Sequence, residues 1–351
     1  MTSNVNSIYI PSEGPKDAKI MFVGEAGGED EEYLKRPFVG KAGQFLERYI
    51  GRVGYQREEV FLTNLSKHRP KGNKFFNLLG TSELRDGLAE LSEEIEEVKP
   101  NVIVACGAWP MYYLTGCTNA KGTAGSGVFS WRGSVVQGSG VHVPAAANHK
   151  VLITLHPAFI IRPTGFGYHP VFFNDLRQLK REVASPDLDY PKYTEYIDPP
   201  STEELVREMC QSEWLTVDIE TFGNSLACVG ITDSTERGLC ITFEHPEGWQ
   251  WAQWALLQYV KKNFQYGAFD INYVKWFYGW DTVNYAFDTY IAAANLMAEF
   301  PRGLGFLNSM YTPFPYYKED RKKHKRTGDL SSLWKYNLRD CVVQHWIAMD
   351  Q

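Results

Sequence analysis

Short apolar strands alternate with helical segments through the first half of the chain, and this alternation restricts the fold more than any other feature. Buried strands are predicted at residues 19–24, 60–65, 101–107 and 151–155. Helices are predicted at residues 44–53, 82–98 and roughly 171–183. Such an alternation forms a parallel sheet with helices on both faces. Ligands of these sheets bind at the carboxyl ends of the strands. The residues at those ends include Gly24, Glu25, Asn64 and His156.

A segment rich in proline divides the chain at residues 186–201, a composition typical of linkers. We therefore predict two domains, residues 1–185 and residues 202–351, and the length of 351 residues suits two domains of ordinary size. The second domain begins with a helix near residues 202–210 and continues with strands at 214–224, 227–232 and 239–243, followed by helices. This order predicts a mixed sheet flanked by helices, so the fold class is α/β in both halves.

Composition limits the cellular context. No apolar run approaches the roughly 20 residues of a membrane span, and the polar N-terminus has no signal-peptide core. The six cysteines form no Cys-x-x-Cys pair, which indicates reduced thiols in the cytoplasm. The net charge of −6 is uneven, because residues 1–185 hold 21 Lys and Arg against 19 Asp and Glu. The total therefore does not exclude a nucleic-acid partner.

The strand at residues 214–224 carries two acids, Asp218 and Glu220, which alternate with apolar residues and so point to one face. Neighbouring carboxylates repel each other, and a bound divalent metal ion is the usual solution. The alternative is an exposed strand with solvated acids, which the pair alone would favour. Two downstream acids, Asp270 and Asp340, favour the metal site. Tyr336 lies four residues before Asp340 and shares its face on a predicted helix.

These five residues, in this order, resemble the 3′–5′ proofreading exonuclease domain of family A DNA polymerases, which belongs to the DnaQ-like, ribonuclease H-like nucleases. The resemblance implies a ribonuclease H-like mixed-sheet fold over residues 202–351. Two ions about 3.5–4 Å apart can activate water in phosphodiester hydrolysis. By this resemblance the carboxylates bind two Mg²⁺ or Mn²⁺ ions, Tyr336 orients the attacking water, and the substrate is single-stranded DNA or a frayed 3′ primer end. The implied metal ligands are Asp218, Glu220, Asp270 and Asp340.

Three further features accompany this set. A basic run either binds single-stranded backbone or forms a solvated loop, and Asp288 is interpreted as a structural partner. Tyr266 stands where the bacterial repair polymerase has Asn. The predicted DNA contacts of the basic run are Lys318, Arg321, Lys322 and Lys323.

Four motifs in the first domain carry a second resemblance. They read Gly-Glu-Ala-Gly-Gly-Glu-Asp at 24–30, Arg-Pro-Phe-Val-Gly-Lys-Ala-Gly at 36–43, Thr-Asn-Leu-Ser-Lys-His-Arg-Pro at 63–70 and His-Pro-Ala-Phe-Ile-Ile-Arg at 156–162. In this order they resemble the uracil-DNA glycosylase superfamily, nearest to its thermophile-type branch. The resemblance implies a three-layer α/β/α parallel-sheet fold with a pocket for an extruded base.

The resemblance also implies residue roles. Phe38 would stack on the base, Asn64 would read its edge, and His156 would stabilise the leaving anion. The turn that starts with Gly24 and Glu25 would let the backbone approach DNA closely. Apolar wedges fill a base stack in such enzymes, and the implied wedges are Ile160 and Ile161.

The chain departs from the family at several motif positions. Gly27 replaces a proline, and Ala26 stands where a related branch has a water-activating Asp. Thermophile-type members bind an iron–sulfur cluster through four cysteines, whereas here His68 replaces one of them and no N-terminal Cys-x-x-Cys exists. We therefore predict no iron–sulfur cluster. Catalytic uracil excision and binding without cleavage both stay open.

Together the two halves resemble the N-terminal part of a phage-type family A DNA polymerase used in DNA replication. Such a polymerase would continue beyond Gln351, so we expect the polymerase domain in the same longer chain or in a separate polypeptide. One alternative is a DNA-clamping or uracil-sensing processivity scaffold with a silent glycosylase site. Another is an active uracil-DNA glycosylase in base excision repair. The predicted location is the cytoplasm, that of the bacterial host if the protein is viral.

Overall fold

The computed structural model describes residues 8–119, 121–319 and 329–351, and the chain divides into two compact units between residues 189 and 190. Each unit contains one sheet with its own apolar cores, so the predicted two-domain α/β fold is confirmed. Within the described ranges, no helix combines the length and the apolar character needed to cross a membrane.

The sheet of the N-terminal unit has five strands. They are β1 Ile20–Ala26, β2 Phe61–Ser66, β3 Val102–Cys106, β4 Val135–Gln137 and β5 Lys150–Thr154. Their order is β2-β1-β3-β5-β4, and all neighbours are parallel except β4, which runs antiparallel to β5. Strand β4 was not predicted from the sequence.

Helices cover both faces of this sheet. They are α1 Glu29–Leu34, α2 Lys41–Val53, α3 Ser82–Val98, α4 Ala108–Thr115, α5 Val128–Trp131, α6 Pro157–Ile160, α7 His169–Arg177 and α8 Leu179–Glu182. Single 3₁₀ turns lie at Arg57–Glu59, Lys71–Asn73, Phe75–Leu78, Pro144–Asn148 and Phe166–Tyr168. Because strand side chains alternate, Phe22 packs with α2 and α7 while Met21 packs with α3. The three-layer arrangement is confirmed.

Helix α3 is attached to strand β2 by a buried ion pair. Lys67 Nζ lies 2.7 Å from Glu94 Oε1, and Thr63 donates to Glu94 Oε2 at 2.7 Å. Leu91 and Ile95 place the apolar face of α3 in the same core. Removing one partner of a buried pair leaves an unpaired charge and costs about 3–5 kcal/mol. The pair therefore fixes the end of β2.

A short N-terminal segment pairs with the outer edge of β2. Ile10 donates to the carbonyl oxygen of Lys67 at 2.8 Å, and Leu62 donates to that of Glu13 at 2.7 Å. Tyr9 and Glu13 form antiparallel bridges to His68 and Leu62. The edge of β2 that faces away from β1 is therefore hydrogen-bonded.

The sheet of the C-terminal unit has six strands. They are β6 Thr194–Ile197, β7 Trp214–Phe222, β8 Ser225–Thr232, β9 Arg237–Thr242, β10 Lys261–Phe264 and β11 Tyr285–Asp288. Their order is β11-β10-β7-β8-β9-β6. The pairs β7–β8 and β8–β9 are antiparallel and the other neighbours are parallel, so the predicted mixed sheet is confirmed.

Strand β6 lies inside the segment predicted as a linker, residues 186–201. It pairs with β9 at one edge of the sheet. Pro191 and Pro199 flank the strand without entering it, which suits an edge position because proline cannot donate to a ladder. Composition identifies the prolines but gives no sign of the partner strand.

Helices also cover both faces of the second sheet. They are α9 Thr202–Met209, α10 Gly248–Leu257, α11 Gly267–Tyr278, α12 Thr289–Leu296, α13 Leu304–Tyr311 and α14 Leu330–Asp350. Leu215 and Val217 pack with α9, α10 and α11, whereas Cys228 and Cys240 pack with α13 and α14. Thr216 Oγ1 lies 3.0 Å from His345 Nδ1 of α14, so every second residue of β7 faces that helix.

Helix α14 approaches the sheet closely at Gly230 of β8. A Cβ atom there would lie 2.4 Å from Asn337 Oδ1 and 2.5 Å from Cys341 Sγ, distances that real Cβ atoms do not show. Only glycine permits this approach. It allows α14 to place Tyr336 and Asp340 against the acidic face of β7.

Candidate active sites

Three carboxylates converge in the C-terminal unit. One ligand oxygen from each of Asp218, Glu220 and Asp340 lies within 4.8 Å of the other two. The first two belong to β7 and the third belongs to α14. In the part of the chain that the structure describes, no other group of three His, Cys, Asp or Glu side chains converges this closely. We call these three residues the acid cluster.

Asp270, the fourth predicted ligand, lies beside the acid cluster but outside this 4.8 Å group. Its Oδ1 accepts a hydrogen bond from the backbone of Ile219 at 3.0 Å, between the two acids of β7. Burial raises the pKa of Asp270 to about 7, and the charges of Glu220 and Asp288 add to that shift. The structure therefore brings all four predicted carboxylates to one place, with Asp270 tied to the strand backbone.

The acid cluster has an excess of negative charge. Burial raises the pKa of Asp218 well above its usual range, and the carboxylates of Asp340, Asp270 and Glu220 raise it further. All the donors are hard oxygen atoms, which suit Mg²⁺ or Mn²⁺ better than softer metals. The residues present therefore fit a divalent ion of this kind.

Tyr336 lies one helical turn before Asp340 on α14. It is buried, and its hydroxyl oxygen accepts a hydrogen bond from Lys318 Nζ at 2.8 Å. Burial and the charge of Asp340 raise the pKa of Tyr336 far above its usual range. The phenol therefore keeps its proton at neutral pH and acts as a hydrogen-bond donor.

Lys318 requires a correction. The sequence places it in a basic run predicted either to bind DNA backbone or to form a solvated loop, whereas its ammonium lies 2.7 Å from both carboxylate oxygens of Asp340. Residue spacing does not reveal this contact, because Lys318 and Asp340 lie far apart in the sequence and meet only through tertiary packing. The other predicted contacts of the run, Arg321, Lys322 and Lys323, lie outside the described residues.

Asn337 is a site residue that the sequence analysis missed. Its Nδ2 donates to Asp218 Oδ2 at 2.9 Å and to the Asp218 carbonyl oxygen at 3.3 Å. The residue lies three positions before Asp340, so helical periodicity would have placed both on one face.

Asp288 is a structural partner, as interpreted from the sequence. Its carboxylate accepts hydrogen bonds from the backbone of Tyr266 at 3.1 Å and of Gly267 at 2.8 Å. It also caps α12 through the backbone of Tyr290 at 2.8 Å. These bonds hold Tyr266 at a φ of 60°, with its ring 5.1 Å from that of Tyr290.

A cavity of about 610 Å³ in the N-terminal unit is lined by Glu25, Phe38, Asn64 and His156. Gly24, the fifth predicted pocket residue, lies directly behind two of the lining side chains. A Cβ atom there would lie 2.4 Å from Asn64 Oδ1 and 2.7 Å from Phe38 Cζ. The bare backbone of Gly24 therefore lets the two side chains approach each other.

His156 presents a neutral imidazole to this cavity. Its Nδ1 accepts a hydrogen bond from the backbone of Ala158 at 3.0 Å, so the neutral ring carries its proton on Nε2. Burial and the charge of Arg162 lower the pKa of His156 to about 4. At neutral pH the ring is a hydrogen-bond donor without a positive charge.

Glu25 is one of the acids that line the cavity. Burial raises its pKa to about 7, while a hydrogen bond from the backbone of Trp109 and the charge of Arg162 act in the opposite direction. A carboxyl group with a pKa near neutrality is suited to general-base work.

Two residues that the sequence analysis missed hold the loop of Phe38. Glu31 Oε1 accepts hydrogen bonds from the backbone of Val39 at 3.1 Å and of Gly40 at 2.8 Å. Arg57 donates to the carbonyl oxygen of Phe38 at 2.9 Å. These bonds fix Phe38 at a φ of 52°, a conformation that is unfavourable for a bulky side chain.

The predicted DNA wedge requires a partial correction. Ile160 is fully buried in the core beneath α6, so it cannot enter a base stack, whereas Ile161 is 39% exposed. Periodicity could have separated them, because adjacent helix residues point in different directions.

An iron–sulfur cluster does not fit the residues of this unit. Four cysteine thiolates are required, but residues 8–189 contain only Cys106, buried in β3, and Cys117, which follows α4. The absence of a cluster stays a prediction.

Comparisons with known proteins place the N-terminal unit in a family. A family model for the uracil DNA glycosylase superfamily matches residues 11–177. The type-4 uracil-DNA glycosylase of Saccharolobus solfataricus is 33% identical over 187 residues, which cover 50% of this chain and 76% of that protein. The type-4 uracil-DNA glycosylase of Thermotoga maritima is 30% identical over 172 residues, which cover 49% of this chain and 81% of that protein.

Two further similarities are partial. A DNA polymerase of Bacillus phage SP01 is 31% identical over 108 residues, which cover 30% of this chain and 11% of the polymerase. The catalytic core of RRP6 from Trypanosoma brucei aligns with 16% identity and a TM-score of 0.36, covering 46% of this chain and 48% of that structure.

Proposed function

This chain belongs to the uracil DNA glycosylase superfamily, and we propose that it is a DNA-processing protein in which a glycosylase-like module is joined to a metal-dependent 3′–5′ exonuclease. The observation that carries the proposal is the convergence of Asp218, Glu220 and Asp340 beneath the buried hydroxyl of Tyr336. The proposed substrate is a single-stranded or frayed 3′ end of DNA. The similarity to a phage DNA polymerase supports a place in the N-terminal region of a replicative polymerase.

The chain's own side chains have distinct tasks in this reaction. The acid cluster and Asp270 would hold one or two Mg²⁺ or Mn²⁺ ions, which lower the pKa of water and stabilise the developing charge on the leaving oxygen. The hydroxyl of Tyr336 stays protonated and donates a hydrogen bond that orients the attacking water. Asn337 holds the Asp218 carboxylate in place through its side-chain amide.

The test is degradation of a duplex with a mispaired 3′ end, with Mg²⁺ or with EDTA. We expect shortening from the 3′ end only with the metal, and its loss in the double variant Asp218→Ala and Glu220→Ala. Glu204→Ala is the matched control, because this acid is exposed on α9 of the same unit. Metal-dependent shortening that persists in the double variant would rule out the acid cluster as the active site.

A second candidate function is uracil excision by the N-terminal unit. The cavity combines a ring, an amide and a neutral histidine, and the similarity to type-4 uracil-DNA glycosylases supports the same chemistry. In this proposal Phe38 stacks on the extruded base and Asn64 pairs with its edge. His156 Nε2 donates to the departing pyrimidine oxygen, and the ionised form of Glu25 accepts a proton from the attacking water.

Uracil excision is tested on the same duplex in EDTA, with uracil at one internal position. Abasic sites, detected by alkaline cleavage, are the expected product, and Asn64→Ala and His156→Ala should each reduce their rate by roughly 10²-fold or more. His142→Ala, outside the cavity, is the control. If no abasic product forms while uracil-containing DNA still binds tightly, the unit is a binding scaffold.

A further inference from the structure

We infer that Lys318 is a positioning residue of the acid cluster, whose ammonium holds Asp340 and Tyr336 together and competes with a divalent ion for the Asp340 carboxylate. The inference rests on the proposed exonuclease function and assigns a residue that sets the metal affinity of that site. It replaces the interpretation of Lys318 as a contact to DNA backbone.

The hydrogen bonds of Lys318 are complete within the site. A lysine ammonium has three donor hydrogens. Its Nζ lies 2.7 Å from each carboxylate oxygen of Asp340 and 2.8 Å from the hydroxyl oxygen of Tyr336. These three acceptors account for the three donors, so the ammonium has no hydrogen left for a phosphate while the arrangement holds.

The surroundings of Lys318 restrict its movement. The ammonium lies 4.9 Å from the ring centre of Tyr336 and 5.1 Å from that of Tyr317, distances at which both rings attract a cation. Its side chain is only 21% exposed. A lysine that extends into solvent to meet a nucleic-acid backbone would be far more exposed.

The contact with Tyr336 bears directly on the proposed reaction. Because the ammonium donates to the phenol oxygen, the hydroxyl hydrogen of Tyr336 points away from Lys318. Tyr317 donates to Asp340 Oδ1 at 2.7 Å and so holds the same carboxylate from another side. Lys318 thereby fixes both the direction of the Tyr336 donor and the rotamer of Asp340.

Competition with a metal ion follows from the same distances. An ion that binds Asp340 either displaces Lys318 from one oxygen or uses the remaining lone pair of Oδ2, and in both cases it approaches a positive charge that already neutralises this carboxylate. The second oxygen can remain with Lys318, so the residue weakens metal binding without leaving the site.

The test compares Lys318→Met with wild type in the full chain. Mn²⁺ binding is measured by calorimetry without DNA, and we expect the weaker of the bound ions to bind roughly tenfold more tightly in the variant because a like charge is removed. At saturating Mn²⁺ we expect kcat to fall by about 10²-fold through misplacement of Asp340 and Tyr336. The KM for DNA should stay within about twofold of the wild-type value, since a residue that only positions other side chains does not contribute to binding of the DNA itself.

Three further variants complete the design. Lys318→Arg should restore part of kcat and the weaker Mn²⁺ binding, because it restores the charge. Lys335→Met is the matched control, since Lys335 is exposed on α14 next to Tyr336. Lys318→Gln takes the place of the methionine variant if circular dichroism shows that the latter is unfolded.

Two results would overturn the inference. A higher KM for DNA with unchanged kcat would identify Lys318 as a backbone contact, and Mn²⁺ binding that is unchanged or weaker in Lys318→Met would exclude competition. Failure of the proposed exonuclease function is seen separately, as absence of metal-dependent DNA shortening by the wild type. The Mn²⁺ titration needs no DNA and still reports on Lys318 in that case.

Discussion

Glu25 and His156 line one cavity, and burial shifts their pKa values in opposite directions. The pKa of Glu25 rises to about 7 and the pKa of His156 falls to about 4, so both groups favour their neutral forms. Loss of hydration disfavours any charged form, which explains the opposite signs. Neutral His156 and partly ionised Glu25 are therefore the forms present near pH 7.

Replacing Glu25 by Gln should stabilise the chain in a pH-dependent manner. Unfolded Glu25 loses its proton near its ordinary pKa of 4.5, whereas folded Glu25 keeps it until about pH 7. The stability of the wild type therefore falls as the pH rises from 4.5 to about 7. The Glu25→Gln variant has no carboxyl group at this position and does not lose stability in this way. Its gain over wild type should grow from near zero at pH 4.5 toward an upper limit on the order of 3 kcal/mol at pH 7.5.

Calorimetric unfolding of both proteins across this pH range measures the gain. His156 contributes the opposite slope between about pH 4 and its ordinary 6.5, but it does so in both proteins and cancels in the difference. A gain in unfolding free energy that is the same at every pH would show that the pKa of Glu25 is not raised in the folded state.

Asp288 offers a test of structural against metal-binding acids. Asp288→Ala removes the cap of α12 and the acceptor for Tyr266 and Gly267, which should cost about 2–4 kcal/mol in unfolding free energy. Asp288→Asn keeps one acceptor oxygen and should cost less. Mn²⁺ affinity of the folded variants should stay within about twofold of wild type. Urea unfolding and Mn²⁺ titration give the two readings, and loss of Mn²⁺ binding by a folded variant would make Asp288 a ligand.

The residues that sequence reasoning identified share a local origin. Asp218 and Glu220 follow from the period of one strand, and Tyr336 with Asp340 from one helical turn. Lys318 and Asn337 act through contacts between elements, and their partners depend on how α14 packs on β7. Pattern reasoning therefore identifies acids on one element better than it identifies the cation or amide that faces them.

At the scale of elements, the position of α14 over β8 determines whether the acid cluster forms. Gly230→Ala would force a Cβ atom against Asn337 and Cys341 and push the helix outward. Overpacking of this kind typically costs about 1–3 kcal/mol. We expect a lower unfolding temperature together with weaker Mn²⁺ binding, since Asp340 moves away from Asp218.

The control for this change is Gly303→Ala in the same unit, where an added Cβ atom would meet nothing within 4 Å. Thermal unfolding and Mn²⁺ titration of both variants separate a local clash from a general effect of losing glycine. Unchanged Mn²⁺ binding in Gly230→Ala would mean that the spacing of α14 does not control the site.

Sequence patterns predicted β1, β2, β3 and β5 of the first sheet and β7, β8 and β9 of the second, but not β4, β6, β10 or β11. Strand β4 has three residues, too few to show alternation, and it exists through pairing with β5. Strand β6 lies among prolines and pairs with β9. Short edge strands depend on their partners, so local propensity does not reveal them.

At the scale of the whole molecule, the two units have separate cores and should respond separately to ligands. Mg²⁺ binds only the folded C-terminal unit in our proposal, so it should raise the unfolding temperature of that unit alone. The stabilisation is about 2.7 kcal/mol at a free ion concentration of 100 times Kd.

Calorimetry of the full chain with Mg²⁺ or EDTA should therefore show two transitions, of which one moves. The double variant Asp218→Ala and Glu220→Ala should remove that shift and leave the other transition in place. Equal shifts of both transitions would contradict a metal site confined to the C-terminal unit.

The segment that pairs with the outer edge of β2 has a consequence for solubility. An unpaired strand edge is a template for association with other chains. A chain shortened to begin after Glu13 would keep every candidate active-site residue but would leave the backbone of Leu62 and Lys67 without these partners. We expect this shortened chain to self-associate on concentration, measured by light scattering, while the intact chain stays dispersed.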